Sequence, residues 1–198
     1  MTVRRTLVLA SGNPHKLEEL QSAMPGWEVR ALDRADYPPE TGSTYRANAA
    51  AKARFGRLHA NPHAWVLGED SGIEVTALGG LPGVESARWA ENGVGRTLEE
   101  LEGATDRRAR YVCVLVALAP DGAEAVTEGE LAGEIVTGPP RGCEGFGYDP
   151  IFVPRGGTLT VAELGDTWKR AHYHRAAAAA ALARALDLSG PAAPGTVC

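Results

Sequence analysis

The segment Ala64-Trp65-Val66-Leu67-Gly68-Glu69-Asp70-Ser71-Gly72 runs from an apolar strand signal into two acids, a hydroxyl and a glycine. The apolar run predicts a buried strand, and Gly68 to Gly72 predicts the turn that closes it. In α/β proteins ligands bind outside the carboxyl ends of strands, so this reading puts Glu69 and Asp70 at a functional edge of a sheet. Adjacent carboxylates there suit a hard divalent cation, because Mg²⁺ takes oxygen ligands and often only one or two carboxylates beside phosphate and water. For these residues alone, an acidic surface turn is the plain alternative.

Upstream, Thr6-Leu7-Val8-Leu9-Ala10 predicts a short buried strand, Ser11-Gly12-Asn13 a turn, and Pro14 to Met24 a helix with proline near its first position. Val29 to Leu32 predicts a second strand, and Ser43 or Thr44 caps an alanine-rich helix ending near His59. Downstream, Ile73-Glu74-Val75 continues the strand or returns along it, Leu78 to Val84 is loop, and Thr97 to Leu101 begins a short helix. From Ala109 the pattern turns to strand. Tyr111 to Ala119 is a long apolar run, Pro120-Asp121-Gly122 a turn, and Glu124 to Val136 alternates like paired antiparallel strands. A Gly/Pro-rich loop from Gly138 to Pro150 leads to a last strand, Ile151-Phe152-Val153, and a helix from Thr167 to Leu186. The run Ala176 to Ala181 fits helix propensity and close packing. The fold class is α/β, one domain over 1–188 with a flexible C-terminal tail at 189–198.

Bulk properties narrow the function classes. A chain of 198 residues supports one sizeable core. A net charge of −5 argues against a nucleic-acid surface built on phosphate contacts, while leaving room for a single nucleotide. Cys113, Cys143 and Cys198 are too widely spaced for a disulfide framework or a zinc site, which points to a reducing cytoplasm. No apolar run approaches a membrane span, so no membrane partner is expected.

Four clusters carry possible chemistry. Ser11-Gly12-Asn13-Pro14-His15-Lys16 joins a strand to a helix N-terminus, where backbone N–H groups and the helix dipole favour an anion. Lys16 in the first turn opposes that dipole, and a bound phosphate would remove the conflict; a solvated lysine on an ordinary turn is the alternative. Asn48 and Lys52 share a helix face, with Glu40 in the loop before it. In Gly142-Cys143-Glu144-Gly145-Phe146-Gly147-Tyr148-Asp149-Pro150 the glycines admit close backbone approach, and Phe146 or Tyr148 can stack on a flat ring. Asp149 either accepts from a ring nitrogen or restrains a neighbouring loop. The basic run Trp168-Lys169-Arg170-Ala171-His172-Tyr173-His174-Arg175 lacks a zinc ligand set and is either a solvated helix start or a phosphate- or base-reading element.

In this order, the clusters resemble the inosine/xanthosine triphosphate pyrophosphatase family, the non-standard purine NTP pyrophosphatases. The resemblance rests on Ser11-Gly12-Asn13 with Lys16, Glu40-Thr41-Gly42, Asn48-Ala49 with Lys52-Ala53, Asp70-Ser71-Gly72, Leu78-Gly79-Gly80 with Pro82-Gly83, Ser86-Ala87-Arg88, Phe146-Gly147-Tyr148-Asp149-Pro150 and His174-Arg175. It implies an elongated mixed β-sheet with flanking helices, two lobes around a nucleotide-binding cleft, and a homodimer. It also implies Mg²⁺-dependent cleavage of ITP, XTP and their deoxy forms to monophosphate and pyrophosphate. Ser11 to Lys16 would cradle the triphosphate, and Glu40 and Asp70 would hold the metal. Asp70 would also serve as the catalytic proton acceptor, with Ser71 as a substrate contact. Phe146, Gly147, Tyr148, Asp149, Lys169, His174 and Arg175 would grip the nucleotide and read its base. Three departures from the family pattern stand out: Glu69 where aspartate is common, Tyr173 for serine, and Thr167-Trp168 for acids.

Overall fold

The structure, a computed structural model, describes residues 5–34 and 36–188; the expected tail at 189–198 lies outside them. Strand β1 (Arg5–Leu9) buries Leu7 and Leu9 and leads through a polar turn into α1 (Pro14–Ala23), then β2 (Trp27–Ala31). Asn13 caps α1 by accepting from the His15 N–H, and Pro14 sits where a helix needs no donor. Helix α2 (Tyr45–His59) begins at Thr44, whose hydroxyl accepts from the Ala47 N–H at 3.1 Å. The remaining elements are β3 (Trp65–Val75), α3 (Gly93–Glu100), β4 (Arg108–Leu118), β5 (Glu124–Ile135), β6 (Phe152–Pro154), α4 (Val161–His172) and α5 (His174–Leu188).

The six strands form one mixed sheet in the order β2-β1-β3-β4-β5-β6. β1 runs parallel to both β2 and β3, and the β3-β4-β5-β6 half is antiparallel. On one face Ala49 and Ala53 of α2 pack with Val112, Val114 and Val116. On the other, α1 and α5 cover a core of Leu7, Leu9, Leu20, Leu67, Leu115 and Leu182. Among the described residues no helix is long and apolar enough to cross a membrane.

Here β3 corrects the sequence reading. It does not end at the acids: it continues through them to Val75, with Asp70 opposite Val114 of β4. Gly68 and Gly72 are strand residues whose missing side chains allow close approach. A Cβ on Gly68 would overlap the Ala49 carbonyl oxygen of α2, and one on Gly72 would overlap the Gly83 carbonyl oxygen. Because side chains alternate along a strand, Glu69 and Asp70 point to opposite faces of the sheet.

Other boundaries shift for local reasons. The alternation over 124–136 is a single strand, flanked by β4 and β6. Helix α3 starts at Gly93 under an Asn92 cap, because two glycines hide its first turn. The C-terminal helix starts earlier, at Val161, under a Thr160–Glu163 capping box, and breaks at Tyr173, whose backbone is extended. The alanine run does pack closely: a Cβ on Gly129 of β5 would overlap the His174 carbonyl oxygen, and Ala178 and Ala179 are fully buried.

Candidate active site

On the α2 face of β3, Asp70 is buried between two side chains of α2. Asn48 Nδ2 donates to Asp70 Oδ2 at 3.0 Å, and Lys52 Nζ donates to Asp70 Oδ1 at 3.0 Å. The spacing of four along α2 aligns both donors on one helix face. Lys52 Nζ also pairs with Glu40 and donates to the Glu69 carbonyl oxygen at 2.9 Å. Glu40 is held in place from both sides: Arg88 NH1 lies 3.2 Å from its Oε2, and Asn48 Oδ1 accepts from the Gly42 N–H. Glu40 and Asp70 thus converge on one ammonium.

The electrostatics differ within this cluster. Burial raises the Asp70 carboxyl above the ordinary aspartate range, against the pull of Lys52 and the Asn48 hydrogen bond. Burial acts the same way on Glu40, but Lys52, Lys16 and Arg88 outweigh it and its carboxyl is lowered. Burial disfavours the Lys52 ammonium, yet Asp70, Glu69 and Glu40 together raise its pKa and keep it charged. Two carboxylates brought together on one ammonium are an oxygen donor pair of the kind that suits Mg²⁺. Among the described residues no group of three or more His, Cys, Asp or Glu forms a metal cage.

On the opposite face, Glu69 is fully buried in a dense ion-pair network. Lys16 Nζ lies 2.6 Å from Glu69 Oε2, and Arg175 donates from Nε at 3.2 Å and NH2 at 3.0 Å to Oε1. Burial alone would raise this carboxyl, but Lys16 and Arg175 hold it far below the usual range. The counter-charge that Lys16 lacks in the sequence is therefore this carboxylate, so its position at a helix start does not by itself call for phosphate. Arg175 also pairs with Glu19 of α1 and donates to Ser71 Oγ at 2.9 Å. Of the five N–H donors of a guanidinium, these contacts occupy all but one on NH1. Arg175 is thus chiefly a tie between α5, β3 and α1.

A cavity of about 160 Å³ opens beside Glu69's partners, bordered by Lys16, Ser71, Phe146, Tyr148, Tyr173 and His174. It is smaller than the ~300 Å³ lower end of ligand pockets and so matches part of a ligand. His174 stacks flat on Tyr111, centroids 4.8 Å apart and planes at 4°. Its Nδ1 is buried with no hydrogen-bond partner among the described residues. Burial, then Arg175, drives the imidazole well below its usual pKa, so the ring is neutral. Asp149 is fully enclosed. Tyr111 and Tyr173 hydroxyls donate to its Oδ1, while Lys169 Nζ and the Phe146 N–H donate to its Oδ2, each at 2.9 Å. Of the two roles open to Asp149, the structure fills the restraining one. Tyr148 donates to the Ser86 carbonyl oxygen at 3.1 Å and closes the cavity's side.

The model of the Ham1 family matches residues 7–185. The chain belongs to the Ham1 family. A family member from Deinococcus deserti, named dITP/XTP pyrophosphatase, is 44% identical over 90% of this chain and 88% of its own. A protein of the same name from Deinococcus radiodurans is 45% identical over 90% and 91%. The solved Ham1 structures from Staphylococcus aureus and Coxiella burnetii superpose with TM-scores of 0.81 and 0.80, at 35% and 36% identity. They cover 93% of this chain in each case, and 100% and 99% of their own chains. The mixed sheet with flanking helices is thus the fold of this family.

The basic run 168–175 splits: Lys169, His174 and Arg175 turn inward to these clusters, while Arg170 and His172 are exposed and His172 stacks on Trp168 instead. Ser11 Oγ accepts from the Asn13 N–H at 3.2 Å and shapes the turn that carries Gly12 and Pro14. Two contributors went unassigned. Glu19 joins Lys169 at 2.7 Å and Arg175, and its signal was its place three residues after Lys16, on the same helix face. Arg88 stands in the Ser86-Ala87-Arg88 motif, but only the structure pairs it with Glu40.

Proposed function

We propose that this protein hydrolyses non-canonical purine nucleoside triphosphates (ITP, dITP, XTP and dXTP) to the monophosphate and pyrophosphate, removing them from the nucleotide pool. The observation that carries this reading is the convergence of Glu40 and Asp70 on Lys52, with Lys16 near enough to act on the Glu40 carboxylate and itself bordering the aromatic cavity. The names of the two Deinococcus relatives support the substrate class.

In this reading water attacks the α-phosphorus, the bond to the bridging oxygen breaks, and pyrophosphate leaves. Such transfers depend on positioning and electrostatics more than on covalent chemistry. Glu40 and Asp70 would hold Mg²⁺, which when bound neutralises phosphate charge and acidifies water. Asp70, with its carboxyl raised by burial, orients the attacking water and accepts its proton. Lys52 keeps both carboxylates in register while the site is empty of phosphate. The Ser11–Lys16 turn takes the phosphate chain, with Lys16 moving part of its charge from Glu69 to the ligand. The base enters the aromatic cavity, a nucleotide cleft between two lobes, where neutral His174 offers its unpaired ring nitrogen.

Hypoxanthine and xanthine present a 6-oxo edge and no 2-amino group. A buried site built for that edge leaves polar groups unpaired against adenine, a mismatch worth orders of magnitude. By family resemblance the protein works as a cytoplasmic homodimer. A panel of nucleoside triphosphates with Mg²⁺, followed for pyrophosphate and orthophosphate, tests the reading. Pyrophosphate from ITP and XTP but little from ATP or GTP is expected; orthophosphate release, or no preference, overturns it.

A further inference from the structure

We infer that His15 is a positioning residue for base recognition: its imidazole backs the Phe146 ring and couples the phosphate-side turn to the base-side loop. This rests on the function proposed above and assigns His15 a role distinct from the phosphate cradle in which the sequence places it.

Phe146 stands between two hollows of about 160 Å³ each. One is the cavity bordered by Tyr148, Tyr173 and His174. The other, on the α1 side, is bordered by His15, Glu19, Asp166 and Lys169. His15 lines only the second, and there it stacks on Phe146 with centroids 4.9 Å apart and planes at 17°. Phe146 needs such support because its backbone does not fix it. Gly145 and Gly147 flank it, both at positive φ (77° and 61°), and the ring itself is only partly buried. Its N–H is tied to Asp149, which anchors the main chain but not the ring. The Lys169 ammonium, 4.6 Å from the ring centroid, and the Arg175 guanidinium carbon, 6.0 Å from it, attract the ring electrostatically but give it no apolar flat surface to pack on. Among the described residues the imidazole is the one ring stacked on Phe146, and it comes from the second residue of α1, two positions past the Asn13 cap. A base stacking in the cavity meets a ring already held.

The test is steady-state hydrolysis of ITP by the unaltered protein, His15→Ala and His15→Phe, with inorganic tripolyphosphate as a competing probe of the phosphate side alone. An aromatic pair contributes enough for about a three- to tenfold effect. His15→Ala should raise KM for ITP by that factor with a smaller change in kcat, and His15→Phe should restore it. Inhibition by tripolyphosphate should be the same in all three. Unchanged KM in His15→Ala overturns the inference, as does a lowered KM, which would mean His15 occupies the face the base requires. Equal losses in both variants with weakened tripolyphosphate inhibition also overturn it, placing His15 on the phosphates. No turnover of ITP by the unaltered protein overturns the function itself and this inference with it, and so separates the two failures.

Discussion

Glu69 and Asp70 are chain neighbours on opposite faces of β3, and the two faces treat a carboxylate differently. Glu69 meets Lys16 and both limbs of Arg175, and its charge is stabilised until it behaves as part of the frame. Asp70 meets one amide and one ammonium shared with Glu40, and burial makes its charge less comfortable than in water. The same residue class, one position apart, is structural on one side and poised on the other. A carboxylate already balanced by two cations has little to gain from a third, whereas an under-compensated one attracts a cation or a proton.

Removing the poised charge gives the largest effect on turnover. Asp70→Asn should lower turnover of ITP by about 10²–10⁴, the usual cost of losing a general base. Its effect on folding is smaller. A carboxyl raised in the folded state contributes stability below its unfolded pKa and loses that contribution as pH rises through the folded value. At neutral pH the ionised Asp70 carries a desolvation cost that offsets part of its pairing with Lys52, and Lys52 keeps Glu40 and the Glu69 carbonyl, so Asp70→Asn should lower the melting temperature less than Glu69→Gln. Without Mg²⁺, Asp70 should take up its proton above the ordinary aspartate range, which an NMR titration of the metal-free protein would check. Near-native turnover in saturating Mg²⁺, or a fall in melting temperature as large as that of Glu69→Gln, would erase the contrast between the faces.

The partner experiment breaks the frame instead. Glu69→Gln leaves the buried Arg175 with Glu19 alone and the part-buried Lys16 without its counter-charge, and breaking a buried pair costs about 3–5 kcal/mol. Glu69 is lowered in the folded state, so its contribution is complete above the unfolded carboxylate pKa and fades as pH falls through the folded one. Urea unfolding at neutral pH should show the full loss, and the gap to the unaltered protein should narrow in acid. Equal stability at neutral pH would mean that the network on this face is replaceable.

Lys16 stands between the two regimes and tests whether its pairing is shared with a ligand. Lys16→Ala leaves Glu69 with both Arg175 contacts, so the fold should tolerate it. Loss of one charge-assisted contact to phosphate should raise KM for ITP about tenfold. An unchanged KM, with kcat also unchanged, would leave Lys16 as a frame residue only.

How much of this was visible in the chain follows from the range of the interactions. The Thr44 cap, Pro14 start and the strand at 65–67 were legible because caps and apolar runs are local. The turn read at 68–72 was wrong because glycine signals both a bend and a close approach, and only the position of Ala49 on α2 tells which. With that turn gone, the paired acids separate to opposite faces, a consequence no spacing rule for turns contains. Glu40, Asn48 and Lys52 were legible as a set conditional on Asp70, and the structure meets that condition. The Glu69–Arg175 pair spans 106 positions and the Glu19–Arg175 contact 156, so neither leaves a local trace.

Asp149 supplies the smallest and most discriminating test, because it is a third buried acid with neither neighbour's character. Its charge is met by one cation, one backbone N–H and two phenols. Tyr173→Phe removes a single hydroxyl while keeping the ring that packs on Tyr111, 5.2 Å away, and on His174, 4.0 Å away. Oδ1 still receives the Tyr111 hydroxyl at 3.0 Å, so no buried acceptor is orphaned. Losing one hydrogen bond without leaving its partner bare costs about 1 kcal/mol, and urea unfolding should register that much. A loss as large as that of Glu69→Gln would show that Asp149 depends on each donor and belongs with the frame. No loss would show that Tyr111, Lys169 and the Phe146 N–H suffice, and that the Tyr173 phenol serves the cavity's shape alone.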